Sequence, residues 1–353
     1  MSAEWAEPGC HRVTDGVHRI PLALPQDGLR AVNVYVLETD AGLALIDGGW
    51  HRPDTYRELA AGLAKIGRTP DEIHDIYVTH IHRDHYTFAV ELRRRHGCRV
   101  HLGAAEAPGL DEIRLLGNNV PESSLRELRR AGAPDLAAAI HAEVIDEPFD
   151  VADWEAPDRW LRPGPLGLPG HDLQVMATPG HTKGHMVFHD HRNGLLYTGD
   201  HLLPTITPSI GFELGEWDLP LGRFLDSLRL LTDCERTMLP AHGPAGGSAG
   251  ARAAALLEHH DRRFTEILAL LDDSGPRTGF EVAAALTWTR RGRRFTELDT
   301  FNRMIAVCET MAHLDVLVAR DLIGHGPRDG VAIFAPRQAA VQPPSTYSSV
   351  PVT

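Results

Sequence analysis

Residues 80–85 read His80-Ile81-His82-Arg83-Asp84-His85, four potential metal ligands within six positions. Imidazole and carboxylate are donors that Zn²⁺ prefers, and residues two apart in an extended or turning segment project the same way. His80 and His82 can therefore grip one cation, while Asp84 and His85, opening the next helix, face a second. One turn cannot complete two coordination shells, so other segments must contribute. Three do: Thr178-Pro179-Gly180-His181, Leu195 to Gly199-Asp200, and Met238-Leu239-Pro240-Ala241-His242-Gly243. Each has the form strand, small residue, ligand, the first following the strand-like Leu173 to Met176. Two divalent ions held about 3.5 to 4 Å apart can share a hydroxide, bring the pKa of its parent water down to about 7, and polarise a carbonyl or phosphoryl oxygen. The chemistry expected is hydrolysis by that bridging hydroxide, with no Ser-His-Asp triad required and no G-x-S-x-G in the chain.

Strands must deliver these ligands. His74 to Thr79 is a short β-branched and aromatic run of the kind that forms a buried strand, and Leu173 to Met176 is another. After His85, the residues Phe88, Val90 and Leu92 and the arginines Arg93 to Arg95 predict a helix with an exposed back.

The ordered set H-x-H-x-D-H, G-H-T, G-D and A-H-G, preceded by Leu45-Ile46-Asp47-Gly48-Gly49, resembles the metallo-β-lactamase-fold hydrolases over residues 14 to 245. The resemblance implies an α/β protein, an αβ/βα four-layer sandwich with a dinuclear metal site along one edge of its two sheets. Carried over by position, it implies that His80, His82 and His181 hold one metal and Asp84, His85 and His242 the other. Asp200 would bridge the two, and Asp47 would support the ligands from behind. Asp84 is then the candidate to orient the nucleophile by accepting its hydrogen bond. Zinc is the expected metal, with iron or manganese as alternatives, since N/O sites of this kind accept several ions. His185 either backs a ligand, meets the substrate or is structural; Lys183 either meets a substrate anion or forms an exposed salt bridge; His201 is expected to point away from the metals. Tyr86 and Thr87 stand where this family often has small residues, which bears on the pocket shape.

Residues 1–250 are expected to form the catalytic domain. Within it, residues 103–160 carry helix-like patches at Ala104 to Leu116, Ser123 to Arg130 and Pro134 to Val144, read as a helical lid. Residues 251–336 change to a helix, helix, helix, hairpin order, a winged-helix-like domain that resembles the C-terminal unit of lactamase-like proteins including endoribonucleases. Its first helix, Ala253 to Leu271, carries His259 and His260 on what reads as a polar face, so they are not expected to be ligands. Residues 337–353 read as a loose tail.

Composition narrows the partners. Thirty-five Lys plus Arg against 48 Asp plus Glu give a formal charge of −13, which repels polyanions. Arg290, Arg291, Arg293 and Arg294 are a local basic cluster, so a lactamase-like endoribonuclease is the alternative enzyme class. A non-catalytic, metal-bound regulatory protein is the third reading, against which the full ligand set stands. The motifs are similar to the glyoxalase II-like branch and to lactonases. The expected activity is thus hydrolysis of a thioester, ester or lactone on a small molecule or acyl carrier, although no glutathione-binding segment is evident after His242. The four scattered cysteines read as reduced thiols, no apolar run is long enough to span a bilayer, and the acidic N-terminus is unlike a secretory signal. A cytoplasmic protein is expected, with a homodimer as one option for its assembly.

Overall fold

The computed structural model describes residues 3–24, 28–211, 218–289 and 292–337. The expected tail, and Arg290 and Arg291 of the basic cluster, lie outside the described residues. A seven-stranded sheet runs in chain order through β1 (His11–Thr14), β2 (Val17–Ala23), β3 (Ala31–Thr39), β4 (Gly42–Ile46), β5 (Ile73–Tyr77), β6 (Arg99–Gly103) and β7 (Arg159–Leu161). Its first four strands are antiparallel and β4 to β7 are parallel. The second sheet holds β8 (Gly164–Leu166), β9 (Leu173–Ala177), β10 (Met186–Asp190), β11 (Leu195–Gly199) and β12 (Thr237–Pro240), in the order β12-β11-β10-β9-β8.

Alternation along the strands sets the layers, because successive side chains leave a strand on opposite faces. Tyr35 and Leu37 of β3, Ala44 and Ile46 of β4, and Tyr77 of β5 share a core with Val175, Phe188, Tyr197 and Leu239 of the second sheet. This is the seam between the sheets. The intervening Val34, Val36, Leu43, Leu45 and Ile76 face outward, against Leu59 and Leu63 of α1 (Thr55–Ala64) and Phe88 and Leu92 of α2 (Arg83–His96). Val187, Leu196 and Met238 leave the far face of the second sheet and meet the remaining helices. The order is helix, sheet, sheet, helix: the expected four-layer α/β sandwich.

The expected lid helices form as α3 (Ala107–Leu116), α4 (Glu122–Arg130) and α5 (Pro134–Val144). They are followed by α6 (Pro220–Arg229), α7 (Ala249–Ser274), α8 (Gly279–Ala285) and α9 (Thr300–Ala319). Thr278 caps α8 in a reciprocal box with Glu281. Two small sheets lie toward the end of the described chain: β14 (Thr287–Trp288) pairs with β15 (Arg293–Arg294), and β13 (Arg277–Thr278) lies beside β17 (Val331–Pro336) of the hairpin it forms with β16 (Ile323–Arg328). Leu128 of α4 and Ile140 of α5 belong to the same apolar core as Phe224 of α6, Leu256 of α7 and Met311 and Leu314 of α9. Arg130 of α4 makes a two-pronged ion pair with Asp315 of α9. Two helices of the 103–160 segment are thus packed into the C-terminal helices.

Candidate metal centre

The β4–β5 and β11–β12 pairs are parallel, and β9 and β11 both run antiparallel to β10. The C-terminal ends of these strands therefore gather at the sandwich edge, and each is followed directly by one of the sequence motifs. The sheets are sewn together there: the Asn33 side-chain amide donates to the carbonyls of Pro240 and Gly243, each at 2.9 Å, and the Tyr35 hydroxyl to that of Pro240 at 2.8 Å. Met186 N–H donates to the Thr79 carbonyl at 2.8 Å.

Seven side chains converge there in two groups. In the first, Nε2 of His80 and Nε2 of His181 each lie 3.0 Å from Nδ1 of His82. The outer nitrogens fix which atoms carry lone pairs. His181 Nδ1–H donates to the Ser209 carbonyl at 2.8 Å. The Thr79 hydroxyl gives its proton to Asp47 at 2.9 Å and so accepts from His80 Nδ1–H at 3.0 Å. Two lone pairs thus point at the same His82 nitrogen, with spacing close to the ~3.3 Å edge of a tetrahedron whose metal–nitrogen bonds are ~2.0–2.1 Å.

In the second group, His242 Nε2 lies 3.3 Å from Asp84 Oδ2 and 3.4 Å from Asp200 Oδ1. His85 Nε2 lies 3.6 Å from the same Asp84 oxygen and 3.8 Å from Asp200 Oδ1. Their outer nitrogens donate to the Ala31 carbonyl and to Asp47 Oδ2, at 2.8 and 3.0 Å. The inward atoms His85 Nε2, His242 Nε2 and Asp200 Oδ1 are buried without a hydrogen-bond partner among the described residues. Buried polar atoms are normally paired, so three orphans facing one point fit a cation. Asp200 Oδ2 meanwhile lies 3.5 Å from His181 Nε2, which puts the Asp200 carboxylate between the groups.

The two groups hold charge differently. Burial presses His80 well down and, with His181 alongside, brings His82 to about 3. Both are neutral imidazoles, the form that ligates. Burial also opposes charge on His85, but Asp84, Asp47 and Asp200 overcome it and lift its pKa to about 9. His242 rises well above its usual value against burial, through Asp200 and Asp84, while Asp200 falls well below the usual carboxylate range against burial, through His242 and His85.

Behind these atoms stand supports. Asp47 has a left-handed backbone, φ 65°, unusual for a residue with a side chain. Its carboxylate accepts from Thr79 N–H at 2.8 Å as well as from the Thr79 hydroxyl and His85. His185 is fully buried; Nδ1–H donates to the Thr178 hydroxyl at 2.9 Å and Nε2 accepts the Asp200 backbone N–H at 3.1 Å. With both nitrogens occupied it anchors Asp200 and faces no cation. A methyl group at Gly199 would sit 2.7 Å from His185 Nε2, at a φ of 49°, so only glycine lets β11 pass. His201 is buried against Phe224, ring centroids 5.0 Å apart. Tyr86 donates to the Glu155 carbonyl at 2.5 Å and Thr87 to that of Arg83 at 2.6 Å, so both serve the scaffold of α2.

Glu106 was not a sequence candidate. It is buried, accepts the Thr182 hydroxyl at 2.5 Å and also takes backbone N–H groups of Ile81 and Gly184. One carboxylate therefore ties together the loops that carry His80, His82 and His181. The only signal was an acid in the small-residue run Ala104-Ala105-Glu106-Ala107 directly after β6.

The sequence model of the Metallo-beta-lactamase superfamily matches residues 27–257. The chain is 25% identical over 314 residues to the probable metallo-hydrolase YqjP of Bacillus subtilis, covering 83% of this chain and 89% of YqjP. It is 25% identical over 170 residues to the hydroxyacylglutathione hydrolase GloC of Haemophilus influenzae, covering 48% of this chain and 68% of GloC. Among solved structures, the metallo-beta-lactamase family protein TTHA1429 of Thermus thermophilus superposes with a TM-score of 0.75 at 28% identity, over 92% of this chain and 100% of that one.

Proposed function

The chain belongs to the metallo-β-lactamase superfamily of metal-dependent hydrolases, and from that premise we propose that it cleaves a thioester, ester or lactone at a centre of two divalent ions. His80, His82 and His181 would hold one ion, and Asp84, His85 and His242 the other, with the Asp200 carboxylate lying between the two groups. The observation that carries this reading is that His85 Nε2, His242 Nε2 and Asp200 Oδ1 face inward with no partner among the described residues, and that Nε2 of His80 and of His181 crowd His82 Nδ1, while the outer nitrogens of His80, His85, His181 and His242 are all occupied. Zinc fits the donor set of five imidazoles and two carboxylates, with iron or manganese as alternatives.

When bound, such a pair of ions supplies an activated water and positive charge for the carbonyl oxygen. The residues of the chain do the rest. Asp84 accepts a hydrogen bond from the attacking water and fixes its direction. Asp47 holds Thr79 and His85, and His185 holds the Asp200 backbone, so the ligands are set before substrate arrives.

The carbonyl class is supported by the likeness to GloC, whose name is that of a thioester hydrolase. A cavity of about 590 Å³ beside His242, lined by Trp5, Leu29, Arg30 and Ile206 among others, offers apolar walls to an acyl group. Nucleic acid is disfavoured by the charge of −13. We read α7, α8, α9 and the β16–β17 hairpin as a winged-helix-like unit that packs on the sandwich and does not capture RNA. A cytosolic location belongs to the same reading and agrees with four free cysteines; among the described residues no helix is long and apolar enough to cross a membrane.

The test is metal analysis joined to turnover of acyl thioesters, lactones and single-stranded RNA at matched salt. Wild-type protein is expected to bind two ions at this centre and turn over a carbonyl substrate. His82→Ala is expected to lose much of the metal and at least about 100-fold in rate, on the order of what a single essential electrostatic group supplies. Full activity in that variant, or turnover of RNA alone, overturns the assignment.

A further inference from the structure

The polar face expected for His259 and His260 is not what forms. His260 is fully buried where α7 meets α9, as is His313 opposite it. His313 Nδ1–H donates to the Glu309 carbonyl at 2.8 Å, which leaves its Nε2 as an acceptor. That atom lies 3.0 Å from His260 Nδ1, so the proton of His260 is on Nδ1 and its Nε2 carries a bare lone pair. Nε2 of His260 is buried without a hydrogen-bond partner among the described residues. Burial drives both rings down in pKa, so each is neutral at physiological pH.

The arrangement repeats the logic of the centre at the sandwich edge, where an outer nitrogen is tied to a protein acceptor and the inner one is bare. It also has company. One ligand atom each from His259, His260 and Glu309 lie within 4.8 Å of one another. Adjacent residues on a helix diverge by about 100°, so the shared point lies between the directions of the two imidazoles, and Glu309 reaches it from the facing helix. His259 and Glu309 are only partly buried, and burial raises the Glu309 carboxyl to about 7, so an ion there competes with a proton for that group. Two imidazoles and a carboxylate form a set that divalent transition metals accept.

We propose that His259, His260 and Glu309 form a separate site for one divalent transition ion of the zinc class, clamping α7 to α9. This site does not depend on the reading of the sandwich-edge centre, since it shares no residue with it.

The experiment is titration of chelator-stripped full-length protein with Zn²⁺ against a chromophoric competitor, with circular dichroism to verify folding. Three equivalents are expected for the wild type and two for His259→Ala and for Glu309→Gln, both substitutions at partly exposed positions. The third equivalent is expected to raise the melting temperature of the wild type and to leave that of Glu309→Gln unmoved. In a His82→Ala background, which removes a ligand of one sandwich-edge ion, adding Glu309→Gln should lower the total by one further equivalent; that equivalent would survive even if the sandwich-edge reading failed. A total for His259→Ala and for Glu309→Gln equal to that of the wild type overturns the proposal, whatever number of ions the sandwich edge holds.

Discussion

Asp47 concentrates several demands in one side chain. Its carboxylate receives the Thr79 amide, the Thr79 hydroxyl and His85 Nδ1–H, and its backbone sits in a conformation that few side chains other than Asn and Asp tolerate. Asp47→Asn should keep the backbone and remove the charge. Metal affinity is expected to weaken by ~10–100-fold, the usual effect of losing a group that orients a ligand imidazole, with little change in the far-UV spectrum. Unchanged affinity in a competition titration would remove Asp47 from the centre. Its place was legible because it follows an apolar run as Leu45-Ile46-Asp47-Gly48-Gly49; the acceptors Ser209 and Ala31 were not, because any residue can offer a backbone carbonyl.

At the level of elements, the ligand-bearing strands could be read because each alternates or runs apolar up to a small residue and a ligand. What escaped reading were the contacts between elements. Glu106 lies on a short 3-10 turn (Ala104–Glu106) that sequence reasoning assigned to a lid, yet it ties the loops after β5 and β9. Glu106→Ala leaves the Thr182 hydroxyl and the amides of Ile81 and Gly184 without that acceptor, at about 1–3 kcal/mol for each group left unpaired. Urea unfolding of the metal-free variant should therefore show a lower midpoint with an unchanged slope; an unchanged midpoint would make the contact incidental. His260 escaped for a related reason. Helical periodicity finds a stripe facing one neighbour, and α7 is held by two, with Phe224 of α6 and His313 of α9 both against the His260 ring.

For the molecule as a whole, charge and acid sensitivity are the measurable consequences. A net charge of −13 slows the approach of anions. For an anionic thioester kcat/KM should rise with ionic strength, whereas for a neutral lactone it should stay flat; the same salt response for both would argue against steering. Acid stability has a specific contributor in β10. Burial, helped by Arg236, lowers His189 to about 4 from an ordinary 6.5. A depressed imidazole binds protons less readily in the folded state, so its stabilising share is present above about pH 6.5 and is lost as pH falls toward 4. His189→Leu is expected to lose less stability than wild type over that window in pH-dependent denaturation, and parallel curves would refute the assignment.

The carbonyl that steadies His181 belongs to Ser209, and two residues later Gly211 lies so close to α9 that an added methyl would come within 2.8 Å of the Cys308 carbonyl. The imidazole is thus joined by a short stretch of main chain to a helix that carries no ligand of the sandwich-edge centre. Bulk introduced at Gly211 is expected to push this stretch away from α9 and, through the Ser209 carbonyl, to shift that ring. A cobalt-substituted sample would register it as a change of colour, which makes the far helix a tuning screw for the first ion.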